Sequence, residues 1–178
     1  ADVPDSALDD AVLFHFGYPP IMRRMYENGG EELAKLFRRV KARGVATSLD
    51  LAAVDADSDA GKADWKAILK RVLPDVDFFM PSFEELCFML DPEKYHALNA
   101  QGGDMTERLD PARDVMPLVD ELIGFGCKTV VIKCGKAGMV WKTAEEDILR
   151  QTGERLHLDT TLCIPVPRAR GNGRGSPS

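Results

Sequence analysis

The spacing of apolar residues changes period several times along the chain, and each change marks a switch between strand and helix. Residues 11–16 (Ala-Val-Leu-Phe-His-Phe) form a short apolar run closed by Gly17-Tyr-Pro-Pro20, which predicts a buried strand. Over residues 31–43, Leu33, Leu36, Phe37 and Val40 recur at i, i+3, i+4 and i+7 with charges between them, the pattern of an amphipathic helix that Gly44 ends. Residues 45–50 read as the next strand. A second amphipathic helix is predicted over 63–73, with Trp65, Ile68, Leu69 and Val72 on one stripe and Pro74 at its end. A third strand at 76–80 runs directly into a helix at 83–90. Residues 91–111 hold Gly102-Gly103 and Pro111 and predict an irregular insertion. A helix at 112–125 turns Val115, Leu118, Val119 and Leu122 inward. A last strand covers 127–134, with 138–142 pairing to it as a hairpin.

Strands alternating with helices predict an α/β fold: a three-layer arrangement with a mostly parallel sheet and helices on both faces. The continuous apolar strands fit burial of that kind. Ligands of such sheets bind beyond the carboxyl ends of the strands. Those ends carry Gly17, Asp50, Ser82 to Glu85 and Lys133 to Gly138. No internal repeat is present. Residues 168–178, rich in Arg, Gly and Ser, have no apolar periodicity and predict a disordered tail, which leaves residues 1–167 as one domain.

Composition narrows the function. With 178 residues, 44% hydrophobic and 29% charged, the chain suits a single domain with a proper core. A formal net charge of −6 argues against general binding to nucleic acid or to an anionic membrane. No apolar run approaches the roughly 20 residues that cross a bilayer. The first residues show neither the basic region nor the apolar segment of a secretory signal. Cys87, Cys127, Cys134 and Cys163 form no CxxC pair and no zinc-like spacing. A strand over 127–134 would hold two of them about 23 Å apart, at about 3.3 Å per residue, too far for a disulfide. Reduced thiols and a cytoplasmic location follow as expectations.

Two segments carry candidate chemistry. Ser82-x-x-Glu85 opens a helix directly after a strand. It reads as a capping box, and equally as a carboxylate placed to order a hydrated Mg²⁺ at the ligand end of the sheet. Lys133-Cys-Gly-Lys-Ala-Gly138 reads as a hairpin turn, or as a turn whose Gly135 and Gly138 let a nucleotide approach the backbone while Lys133 or Lys136 meets a phosphate. It lacks the P-loop spacing. Asp55-Ala-Asp-Ser-Asp59 imitates a calcium loop but has Ala60 and Lys66 at the sixth and twelfth positions, so it reads as a solvated loop. His15, His96 and His157 are scattered. Gly171-x-Gly173-x-Gly175 follows no strand and opens no helix, so it is not a dinucleotide fingerprint.

Taken in order, the strand ending in Gly17-Tyr18, the strand ending in Asp50, Pro81-Ser-Phe-Glu-Glu85 and Val131-Ile-Lys-Cys-Gly-x-x-Gly138 resemble the PfkB, or ribokinase-like, carbohydrate kinases. The resemblance covers roughly residues 11–143. It implies a kinase that transfers the ATP γ-phosphoryl group to a hydroxyl of a sugar or related small alcohol, with ATP and Mg²⁺ as cofactors. By position, Ser82 and Glu85 match the family's Asn-x-x-Glu, with Glu85 the metal-organising carboxylate. Lys133, Gly135 and Gly138 match its nucleotide-contacting Thr-x-Gly-x-x-Gly. Ser82 departs from the family's Asn and Lys133 from its Thr. Asp50 matches the first residue of Asp-x-Asn-x-Arg, but Ala52 and Val54 replace the Asn and the Arg. The family's Gly-Ala-Gly-Asp, which supplies the catalytic base, has no counterpart, and Asp159-Thr-Thr161 continues into Leu162-Cys-Ile instead of glycines. No catalytic residue is therefore assigned, and the chain is expected to correspond to the family's middle portion, truncated at both ends and inactive alone. Its expected partners are ATP and a sugar-like acceptor, with self-association a further expectation. The alternatives are a non-catalytic nucleotide- or ligand-binding α/β module and a doubly wound enzyme with another cofactor.

Overall fold

The computed structural model describes residues 3–157. The expected tail, Cys163, the 159–161 segment and the glycines of 171–175 lie outside the described residues. Five strands form one sheet in the order β1-β2-β3-β4-β5: β1 (Leu13–Phe16), β2 (Ala46–Leu49), β3 (Phe78–Phe79), β4 (Thr129–Lys133) and β5 (Met139–Thr143). The first four are parallel, and β5 returns antiparallel to β4 with Val131 opposite Trp141. The mostly parallel α/β sheet and its closing hairpin are thus as expected.

The helices are α1 (Arg23–Lys41), α2 (Trp65–Val72), α3 (Phe83–Leu90), α4 (Pro92–Asn99), α5 (Met116–Gly124) and α6 (Glu146–Leu149). Helix α1 is interrupted by non-helical Glu27, Asn28, Gly29 and Gly30, so the expected 31–43 stripe forms its second part. There Leu33, Phe37 and Val40 are buried, and in α2 so are Trp65, Ile68, Leu69 and Val72. A π turn at Pro111–Val115 leads into α5, where Leu118, Val119 and Leu122 are buried.

The expected α/β architecture is present: a mostly parallel sheet packed with helices, its strand order rising without reversal from β1 to β4. On one face Phe79, Val130 and Ile132 pack into one core with Phe37, Ile68, Leu86 and Val119 from the helices. Phe14 and Phe16 meet the edge of the Phe37 ring at 6.0 and 6.4 Å. On the opposite face Leu13, Trp141 and Met139 are 48%, 55% and 67% exposed. This corrects the reading of 11–16 as a buried strand. An unalternating apolar run does not reveal that it lies at a sheet edge with one side bare.

A second correction concerns 91–111, which is largely ordered. Asp91 caps α4 by accepting from the Lys94 N–H at 3.1 Å, and Pro92 stands at the first helical position, where its missing N–H costs nothing. No residue of α4 is buried, so the helix has no apolar stripe to announce it. It is held from outside: Tyr95 packs edge-on against Phe88 at 5.3 Å, and Lys94 Nζ pairs with Asp114 Oδ1 at 3.1 Å.

The strands are fastened together at their amino ends. Asp77, fully buried just before β3, accepts from Lys41 Nζ at 2.7 and 3.0 Å, from the Thr47 N–H at 2.9 Å and from the Gly153 N–H at 3.2 Å. Replacing Asp77 by Ala removes the anionic partner of the half-buried Lys41, which keeps only the Gln151 carbonyl, and leaves two buried amides without their acceptor. The expected loss is about 3–5 kcal/mol, read from urea unfolding; a loss under about 1 kcal/mol would show that the node is dispensable.

The Arg113 guanidinium, then the Asp110 N–H and the Lys94 ammonium, hold the Asp114 carboxyl well below its ordinary range. A depressed folded-state value stabilises the fold above the unfolded value of about 3.9 and loses that stabilisation as pH falls through the folded one. Asp114→Asn is therefore expected to be less stable than the parent at pH 7, with the gap narrowing below about pH 4. Parallel urea titrations at pH 7 and 3 check this, and a gap independent of pH would contradict it.

Candidate functional site

The carboxyl ends of β2, β3 and β4 bring four of the sequence-predicted positions together. β4 ends in Lys133, whose N–H donates to the Pro81 carbonyl at 3.0 Å, and whose backbone bridges to Ser82. Its ammonium reaches back across the sheet end to Asp50, donating to Oδ1 at 3.1 Å and Oδ2 at 2.9 Å. Asp50 follows β2 directly and is held there: its N–H donates to the Phe16 carbonyl at 3.1 Å and its Oδ1 accepts from the Leu51 N–H at 2.9 Å. Gly17 and Tyr18 close β1 at the sheet edge, with β2 and β3 between them and Lys133.

Ser82 and Glu85 form the capping box in full. Ser82 Oγ accepts from the Glu85 N–H at 3.2 Å, and Glu85 Oε2 accepts from the Ser82 N–H at 2.8 Å. Two orphan amides of α3 are thereby satisfied. Among the described residues Glu85 Oε1 has no hydrogen-bond partner, so one oxygen of this half-buried carboxylate remains for a ligand. A hydrated Mg²⁺ commonly takes one or two carboxylates and keeps several waters. Glu85 Oε1 offers one oxygen of that kind; among the described residues no group of three His, Cys, Asp or Glu gathers to hold a metal. The histidines stay apart; His15 Nδ1 lies 3.1 Å from Ser48 Oγ on the open face.

The turn after β4 is tight. The Cys134 N–H donates to the Gly138 carbonyl at 2.8 Å, and a single 3₁₀ turn, Gly135–Ala137, spans the gap. Gly135 has φ +51° and Gly138 φ +89°, both in the left-handed region. Their surroundings differ. A Cβ on Gly135 would lie 2.5 Å from Thr106 Oγ1, whereas one on Gly138 would meet nothing within 4 Å. The close approach at Gly135 is thus to the chain itself, and Gly138 faces open space.

Thr106 belongs to a 3₁₀ turn, Met105–Arg108, inside the segment expected to be irregular. Asp104 Oδ1 accepts from the Thr106 N–H at 2.8 Å and from its hydroxyl at 2.6 Å, and these bonds hold the Asp104 carboxyl below its ordinary range. The next residue, Glu107, forms an ion pair with Lys136. Sequence reasoning missed this brace. Its available signal was Asp104-x-Thr106, an acceptor two residues ahead of the amide it captures.

A shallow polar depression of about 430 Å³, lined by Lys41, Arg43, Gln151 and Glu154 among others, lies at the opposite end of the strands. Its cations are paired, Lys41 with Asp77 and Arg43 with Asp5 and Asp9, and it lies away from the carboxyl ends of the strands, where ligands of such sheets bind.

The two glycines should respond differently to alanine. Gly138→Ala adds only backbone strain, about 1–3 kcal/mol, at φ +89° and ψ −134°. Gly135→Ala adds a clash with Thr106 and is expected to lower the melting temperature further. Equal melting temperatures for the two variants would contradict the brace.

No protein-family model and no curated protein matches the sequence. Among solved structures, the chain is similar to a fructokinase with bound ATP from Xylella fastidiosa, with a TM-score of 0.52 at 19% identity over 79% of this chain and 38% of that one. A PfkB protein from a Polaromonas species gives 0.52 at 17% identity, over 79% and 40%. A putative ribokinase II from E. coli gives 0.50 at 21% identity, over 80% and 38%. The chain therefore spans about two fifths of the length of these structures. What they share with it is architecture: the described sheet and helices are part of the ribokinase-like fold of carbohydrate kinases.

Proposed function

We propose that this chain is the nucleotide-binding part of an ATP-dependent kinase acting on the hydroxyl of a sugar or related small alcohol. The observation that supports it best is the convergence of Asp50, Ser82, Glu85, Lys133 and the 135–138 turn at the carboxyl ends of parallel strands in a ribokinase-like fold. That end of an open α/β sheet is where its ligands lie. One structural neighbour is a fructokinase with bound ATP.

Phosphoryl transfer asks the protein chiefly to position the phosphates and stabilise their charge. In this reading the backbone beside Gly138 admits the nucleotide phosphates, since no side chain fills the space there. Lys133 supplies a compact positive charge. Mg²⁺, when bound, would neutralise charge between the phosphates, and Glu85 would hold one of its waters through Oε1. Nothing matching Gly-Ala-Gly-Asp occurs in the sequence, so no residue is assigned the removal of the acceptor's proton. The second reading is a nucleotide-binding module without turnover. No described helix is long and apolar enough to cross a membrane.

Calorimetric titration with Mg·ATP tests the proposal. Gln at position 85 can still close the capping box, so Glu85→Gln removes charge while sparing the helix start. Saturable binding by the parent is expected, weakened about tenfold in Glu85→Gln, the worth of one charge-assisted contact. Without Mg²⁺ the two should bind ATP alike. A folded parent that binds no ATP overturns the reading. ATP consumption by the 178-residue chain across a panel of sugars and nucleosides is expected to stay at background; robust turnover would show that a base had been overlooked.

A further inference from the structure

We propose that the turn after β4 is a charge-masked anion site, in which Asp50 and Glu107 act as internal competitors that select polyphosphates over singly phosphorylated ligands. The inference rests on the nucleotide reading above and adds what sets its selectivity. Both cations of the turn are engaged. Lys133 is paired through two contacts with Asp50, 83 positions earlier in sequence, and Lys136 with Glu107, 29 positions earlier. Neither pairing is local. Each joins a separate stretch of chain to the place where phosphates are expected.

An incoming anion must take these cations from carboxylates that already satisfy them. A monophosphate exchanges one anionic partner for another and gains little. A triphosphate presents several charges to Lys133, Lys136 and the backbone of the turn at once, and outcompetes both carboxylates. The two masks differ in strength. The Asp50 side chain is 19% exposed and that of Glu107 49%, so solvent screens the second pair more. Asp50 is therefore the principal selectivity residue.

Calorimetry on the full chain with inorganic phosphate, tripolyphosphate and ATP tests this. Asp50→Asn should tighten tripolyphosphate binding about fivefold, the factor that a partly exposed ion pair represents at its strongest. Phosphate binding should rise by more, so that discrimination narrows; Glu107→Gln should act in the same direction and more weakly. Lys133→Met should abolish tripolyphosphate binding. Asp120→Asn is the control. It changes net charge equally but releases Lys142, on β5, away from the turn. Circular dichroism confirms that each variant is folded. The inference fails if Asp50→Asn binds no better than Asp120→Asn, or if Lys133→Met binds as the parent does. ATP binding that ignores both Asp50 and Lys133 overturns the mask and leaves the nucleotide reading intact. Tripolyphosphate behaving as stated while ATP does not bind overturns the nucleotide reading alone. No binding of any probe overturns both.

Discussion

The buried carboxylate of Asp77 is the interaction on which the rest of the sheet depends. It is fully shielded from water, and every partner it has comes from a different part of the chain: the end of α1, the start of β2 and the segment after α6. Thr47 extends the connection, donating its hydroxyl to the Asp75 carbonyl at 2.7 Å while accepting the Asp77 N–H at 3.0 Å. An ionised group in such a place is tolerated only with its partners complete. That requirement fixes the amino ends of β2 and β3 against α1. With one end fixed, the carboxyl ends of the same short strands have little choice about where they emerge.

Strand order carries that constraint to the site. Because β2, β3 and β4 are neighbours and parallel, the residues that follow them, Asp50, Met80 to Ser82 and Lys133, arrive side by side. The ion pair between Lys133 and Asp50 spans the intervening strand end, and the Ser82 bridge joins β4 to the start of α3. Helix α3 begins there with both of its capping partners in place, so the Glu85 carboxylate is held by the same bond that satisfies the Ser82 amide. Fold and candidate chemistry share residues. Capping uses only Oε2 of Glu85, so the proposed ligand-ordering role would fall to the other oxygen.

Much of this was legible in the sequence because it follows from period and punctuation. The stripes Leu33-Phe37-Val40 and Trp65-Ile68-Leu69-Val72 located helices, and Ser82-x-x-Glu85 located the start of α3 to the residue. Three features escaped, each for a physical reason. Helix α4 has no fully buried residue, so hydrophobic pattern barely marks it, and only Asp91-Pro92 signalled its start. The exposure of β1 depends on its place at the edge of the sheet and not on its composition. The Asp50–Lys133 and Glu107–Lys136 pairs and the Thr106 contact with Gly135 are long-range, and no local spacing encodes them. That these positions gather at the carboxyl ends of the strands was therefore readable in advance, while their ion pairing was not.

The three described cysteines have a consequence for observing this molecule in motion. Burial pushes the Cys87 and Cys127 thiols up to about 12 and raises that of Cys134, so at neutral pH almost none of the reactive thiolate exists while the chain stays closed. Each becomes chemically visible only when its surroundings open. Cys87 lies two residues after Glu85 in α3, while Cys127 and Cys134 bracket β4 and lead into the glycine turn. The rates at which a thiol reagent labels them, with Cys163 replaced, would thus record separately how often the helix and the strand of the candidate site come apart. The protein carries its own clocks for local opening, one in the helix and two flanking the strand that form the candidate site.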